Sequence, residues 1–138
     1  MLVLGIAVLL PAIFKGETKY AVISFLIGMI YGLLIDFVGI NLMRFWEYSD
    51  GSKLVYYAVT VPCWGIFSMA VNLLWNWIKS PWLAFVVVTT GLFILLEIPN
   101  LLTRSWVYHV PTWFVMIGWV PLVLSFRIIY VVIADRFQ

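Results

Sequence analysis

Apolar residues fill the chain almost from its first position, and short polar stretches at 15–19, 44–53, 79–80, 104–109 and 135–138 divide them into runs. A helix of about 20 apolar residues crosses the ~30 Å hydrocarbon layer, since each residue adds about 1.5 Å. The pattern predicts five helices, at 2–14, 20–43, 54–78, 81–103 and 110–134. The first is short for a full crossing and reaches across only if Lys15 snorkels and the bilayer thins. Pro81 suits the first turn of its helix, while Pro99, Pro111 and Pro121 mark helix starts and kinks. The expected fold is an all-α polytopic transmembrane bundle of five helices, or four plus a short N-terminal one, forming a single domain over 1–138.

Two of the polar stretches carry the same marks in the same order. Arg-x-Trp-x-Tyr stands at 44–48 (RFWEY) and again at 104–108 (RSWVY), and VPCW (61–64) and VPTW (110–113) open the helices that follow. Upstream come an acid and an asparagine, Asp36 and Asn41 in one copy, Glu97 and Asn100 in the other. Four elements in one order imply a duplicated helical hairpin, with both RxWxY segments read as loops. Both hairpins cross the bilayer in the same direction, so the expected symmetry axis lies along the membrane normal. Sites in such repeats tend to form between the halves.

Depth makes the two acids the candidates for chemistry. Asp36 lies eight residues before Arg44 and Glu97 seven before Arg104. Helical rise therefore sets each acid roughly 10–12 Å below its arginine, inside the hydrocarbon. A charge there costs at least ~2.5–3.5 kcal/mol, so each acid is either neutral or paired. Asp36 and Glu97 are expected side by side as catalytic residues. Asn41, Arg44, Trp46 and Tyr48 in the first copy, and Asn100, Arg104, Trp106 and Tyr108 in the second, are candidate substrate-binding residues. Arg127 is a third intramembrane ionisable group and another binding candidate, nearer the opposite face. The same residues also fit plainer roles: Trp and Tyr as an interfacial belt, Arg on lipid phosphate, and the acids as ties between helices. Asn72 and Asn76, one turn apart, read as interhelical glue. Cys63 reads as a small packing residue, and His109 as an interfacial loop residue or as a proton-transfer group beside Glu97.

Composition confirms the class and removes others. The chain is 65% hydrophobic and 10% charged, against about 45–50% and 25% in soluble domains. A net charge of +2 without a Lys/Arg cluster gives no surface for nucleic acid. One cysteine and one histidine exclude an internal disulfide, CxxC chemistry and bis-histidine haem. No metal or other cofactor is expected. The N-terminus lacks a basic n-region and a cleavage site, so residues 1–14 are expected to be retained. Lys15, Lys19, Lys79 and Arg136 fall on one side of the membrane and Arg44, Lys53 and Arg104 on the other. That margin sets the RxWxY segments away from the cytoplasm, in a protein expected to be multi-pass in the cell membrane.

A buried acid under a Trp/Tyr/Arg rim suits a long apolar substrate entering from lipid. Protonation of an isoprenoid double bond needs a carboxylic acid held neutral by desolvation, and π faces to hold the resulting cation. A second carboxylate then removes the final proton. The order of Asp36, Gly39, Ile40, Trp46, Tyr48, Pro62 and Trp64 resembles the small integral-membrane carotenoid families. A weaker echo of it runs through Glu97, Trp106, Tyr108, Pro111 and Trp113. Those families are the heterodimeric-type lycopene cyclases and the related carotenoid hydratases, and the resemblance implies isoprenoid cyclisation or hydration. Two other classes use the same residues. One is a small proton-coupled carrier of lipophilic or cationic compounds, working as a homo-oligomer. The other is a non-catalytic subunit packed against a larger membrane complex. An enzyme predicts an enclosed apolar pocket of several hundred Å³ ending on Asp36 or Glu97. A carrier predicts a water path from both sides to the same acid, and a subunit predicts no pocket and loss of stability when purified alone. Membrane lipids and a lipophilic small molecule are the expected partners.

Overall fold

A computed structural model describes residues 1–49 and 56–134. Five α-helices carry the chain: α1 (Leu2–Phe14), α2 (Thr18–Asp36), α3 (Val61–Trp77), α4 (Pro81–Thr103) and α5 (Thr112–Ala134). A wider π-helical turn, Phe37–Leu42, prolongs α2, and another, Tyr56–Thr60, leads into α3. Four helical stretches are long and apolar enough to cross a membrane, Thr18–Leu42, Ala58–Trp77, Pro81–Thr103 and Thr112–Ala134, while α1 is shorter. The protein is an all-α, multi-pass membrane protein built from repeated hairpins. Positions 54 and 55 of the helix expected at 54–78 lie outside the described residues, as do Lys53 and Arg136 of the charge comparison.

The bundle is organised around α3, which packs on all four other helices. Phe67, Met69, Ala70, Val71 and Leu73 of α3 are buried. Lipid is as apolar as leucine and provides no hydrophobic drive between helices, so close backbone approach and polar ties must hold them. Gly28 and Gly32, one turn apart on α2, provide the approach. A Cβ at Gly28 would lie 2.8 Å from Gly65 Cα of α3, and one at Gly32 would fall on the Trp64 side chain. The polar tie lies one turn before Gly28. Asn72 Nδ2 donates to Ser24 Oγ of α2 at 2.8 Å and to the Ser68 carbonyl at 2.9 Å. Asn72 thus joins α2 to α3, as glue between helices. By contrast, α4 and α5 lie at the edge and show most of their apolar side chains to the lipid, among them Leu101, Met116 and Ile117.

The RxWxY segments, expected as loops, are strands. β1 (Trp46–Tyr48) and β2 (Trp106–Tyr108) pair antiparallel, with Trp46 opposite Tyr108, Glu47 opposite Val107 and Tyr48 opposite Trp106. Arg44 (φ 53°) and Arg104 (φ 50°) adopt the left-handed conformation that turns each chain out of its helix. The pairing continues at both ends: Ser49 N donates to the Ser105 carbonyl at 3.0 Å, and His109 N to the Phe45 carbonyl at 2.8 Å. Each emerging segment thereby satisfies backbone groups that would otherwise lie unpaired at the membrane edge. The strand register is symmetric about the Glu47–Val107 pair.

Candidate functional site

Side chains alternate across a strand, and that alternation delivers the site. Trp46, Tyr48, Trp106 and Tyr108 are half-buried on the face turned into the bundle, while Glu47 and Val107 point outward. Tyr48 and Tyr108 are diagonal neighbours on the inward face, and each reaches down to the acid of its own half. Tyr48 Oη donates to Asp36 Oδ1 at 3.1 Å and Oδ2 at 3.3 Å. Tyr108 Oη donates to Glu97 Oε1 at 2.6 Å.

A tryptophan completes each cluster. Trp64 Nε1 donates to Asp36 Oδ2 at 2.7 Å, and Trp119 Nε1 donates to Glu97 Oε1 at 3.0 Å. Each half therefore holds one carboxyl, one phenol and one indole in the same arrangement. Trp64 comes from the VPCW motif that opens α3. Trp113, its counterpart in VPTW, is 62% exposed and faces the lipid. Its place is taken by Trp119, which the repeat does not mark.

The acids, expected side by side, belong instead to separate clusters joined through aromatic rings. Trp64 meets Phe67 edge-on at 5.7 Å between centroids, Phe67 meets Trp119 at 5.8 Å, and Trp64 stacks on Phe126 at 5.8 Å. The two carboxyls also differ. Asp36 is 1% exposed and both of its oxygens accept hydrogen bonds. Glu97 is 8% exposed, and its Oε2 has no hydrogen-bond partner among the described residues. Phe93, one turn before Glu97 on α4, meets Trp119 edge-on at 5.9 Å.

The remaining candidates fall in distinct places. Asn100 is buried, and its Oδ1 accepts from Trp106 N at 2.9 Å, fixing the start of β2. Asn41 is exposed on the π-turn and makes no side-chain hydrogen bond among the described residues, so the asparagines are not equivalent. Trp46 closes over Gly39, where any Cβ would strike its ring. Arg104 is exposed, and its carbonyl accepts from Ser49 Oγ. Arg44, Trp46, Glu47, His109 and Ile40 line an open cleft of about 470 Å³ beside the strands. There His109 Nε2 lies 3.5 Å from Glu47 Oε2, so the histidine's neighbour is Glu47 and not Glu97. Arg127 lies at the other end of the bundle. Its cavity and this cleft both lack Asp36 and Glu97 among their lining residues, so neither is the apolar pocket expected of an enzyme.

Burial, reinforced by the Glu97 hydrogen bond and charge, pushes the Tyr108 hydroxyl above the ordinary tyrosine range. A proton held more tightly in the folded state stabilises it fully below the unfolded value near 10, and that contribution is lost as pH rises beyond. Stability should therefore decline above about pH 10, and Tyr108→Phe should flatten the decline. Unfolding of the micellar protein between about pH 9 and 12 measures this. An unchanged slope in the variant would show that Tyr108 is not the titrating group.

Comparison of the chain with protein-family models, curated proteins and solved structures gave no match.

Proposed function

We propose that this multi-pass protein, placed in the cell membrane, takes a lipophilic isoprenoid-type molecule from the bilayer and protonates it through Glu97, leading to cyclisation or hydration. The observation that carries this reading is the unpartnered Oε2 of Glu97. Its sister oxygen accepts from Tyr108 and Trp119, and those bonds stabilise the carboxylate left after the proton departs. Oε2 is then the oxygen that carries the proton. It sits on α4, an edge helix whose neighbouring apolar side chains face lipid, so a substrate reaches it sideways from the membrane rather than through a closed pocket.

The chemistry balances on this chain alone. The Glu97 proton adds to one carbon of a double bond and leaves a cation at the other. In this reading the π systems of Phe93 and Trp119 hold that charge. In cyclisation a neighbouring double bond attacks the cation and an adjacent carbon loses a proton. In hydration a water adds and loses the proton. Glu97 accepts that proton in either case and is regenerated. Asp36 was the candidate for this last step, but both its oxygens are engaged, so in this reading it holds Tyr48 and Trp64 in place.

Proton addition from a solvent-exchanged carboxyl leaves a label. Membranes containing the full chain, incubated in heavy water with acyclic isoprenoids, should yield a product carrying one non-exchangeable deuterium. Lipid-extract mass spectrometry reads this directly, and products without carbon-bound deuterium would rule out protonation.

A further inference from the structure

The end of the bundle opposite the strands holds an arginine that has no ion-pair partner among the described residues. The Arg127 guanidinium of α5 lies 5.6 Å from the ring centroids of both Trp75 and Tyr130. Its Nη1 is buried without a hydrogen-bond partner among the described residues. Among the described residues no carboxylate lies within ion-pair distance of Arg127. The arginine opens on a cavity of about 260 Å³, which Tyr20, Asn76, Tyr130 and Glu17 also line.

Glu17 also lines the cavity, with one of its oxygens held by a hydrogen bond. Its Oε2 accepts from Trp77 Nε1 at 2.6 Å, and Lys15 Nζ lies 4.2 Å over the same indole. Besides that carboxylate, the cavity wall presents the Arg127 guanidinium, two phenols and an amide. An unpaired charge at membrane depth is costly, and a guanidinium bound to two oxygens of one group recovers that cost. Planar bidentate binding is the geometry in which arginine surpasses lysine on phosphate. The hydroxyls of Tyr20 and Tyr130 and the Asn76 amide add donors for the remaining oxygens. Lys15 and Lys79 stand at the same face of the bundle and add positive potential for an approaching anion.

We propose that this cavity binds a phosphate-bearing group, with Arg127 as its principal ligand. The phosphate belongs either to a lipid headgroup or to a soluble anion, and the chemistry of recognition is shared. The site is remote from Glu97 and stands whether or not that residue transfers protons.

The test uses the full chain in maltoside micelles without phosphate. Three additions are compared by thermal unfolding: phosphatidic acid, uncharged diacylglycerol, and inorganic phosphate. Phosphatidic acid or inorganic phosphate should raise the midpoint in a saturable way, and diacylglycerol should not. A response to phosphatidic acid alone identifies a headgroup site, and a response to inorganic phosphate identifies a soluble ligand. Arg127→Met should abolish the rise and be no less stable than the parent without ligand, since it removes an unpaired buried charge. Arg127→Lys keeps the charge but loses the fork, and should weaken apparent affinity about tenfold or more. No response in the parent, an equal response to diacylglycerol, or lysine and methionine variants that bind like the parent would overturn the proposal.

Discussion

Gly32→Ala should destabilise the protein by about 2–4 kcal/mol although it adds one methyl group. The new Cβ would fall on Trp64 Cβ and Cγ and lie 2.7 Å from Cδ1. Those atoms cannot yield independently, because the same indole donates to Asp36 and stacks on Phe126. Overpacking costs about 1–3 kcal/mol, and a displaced Trp64 also forfeits an interhelical hydrogen bond of about 0.6–1.7 kcal/mol. Gly91→Ala and Gly118→Ala are the controls. Nothing lies within 4 Å of a Cβ at either position, and alanine is favoured over glycine inside a helix by about 0.5–1 kcal/mol. Reversible unfolding in mixed micelles compares the three. If Gly32→Ala unfolds like the controls, Trp64 is not held against α2 as described.

That packing also shows what the sequence made legible. Long apolar runs read directly as helices because lipid forbids unpaired backbone, so length and hydropathy alone specify a crossing. The duplicated hairpin was visible in Arg-x-Trp-x-Tyr because both copies do the same thing: an arginine leaves the helix in a left-handed turn and the tyrosine returns to the acid below. The strands were missed because three residues between two helices carry too little periodicity to stand out. The alternation of Trp and Tyr was nonetheless the mark of a strand with one buried face. Pairing the copies with each other, rather than each with its own helix, required knowing that the hairpins lie side by side.

The tryptophans were harder to place. Trp64 lies 16 residues beyond Tyr48, whereas Trp119 lies 11 beyond Tyr108, so no common spacing links the two indoles that do the same work. The repeat aligns Trp64 with Trp113, which the shorter connection in the second half leaves facing lipid. The spacing Gly28-x-x-x-Gly32 was a readable sign of close helix approach, and it selects Trp64 because Gly32 precedes Asp36 by one turn. Nothing comparable marks Trp119. The difference between the acids was not legible at all, since it depends on which oxygen each donor meets.

Glu97→Gln should lower isoprenoid product formation by about 10²–10⁴-fold while leaving stability within about 0.5 kcal/mol of the parent. The amide oxygen can take the place of Oε1 and still accept from Tyr108 and Trp119. The NH₂ then occupies the position of Oε2, where no donor waits to clash. Only the transferable proton is lost. Asp36→Asn has no such freedom, because both oxygens of Asp36 face donors. Tyr48 can rotate its hydroxyl to accept from an amide, but the Trp64 indole can only donate, so the amide oxygen must face Trp64. The cost is one weakened tie, about 1–2 kcal/mol, with turnover per folded molecule retained. Unfolding midpoints and deuterium incorporation, measured on both variants, separate the roles. If Asp36→Asn stays folded but stops turnover while Glu97→Gln keeps it, the proton comes from the first half of the repeat, and the open oxygen of Glu97 has no part in the reaction.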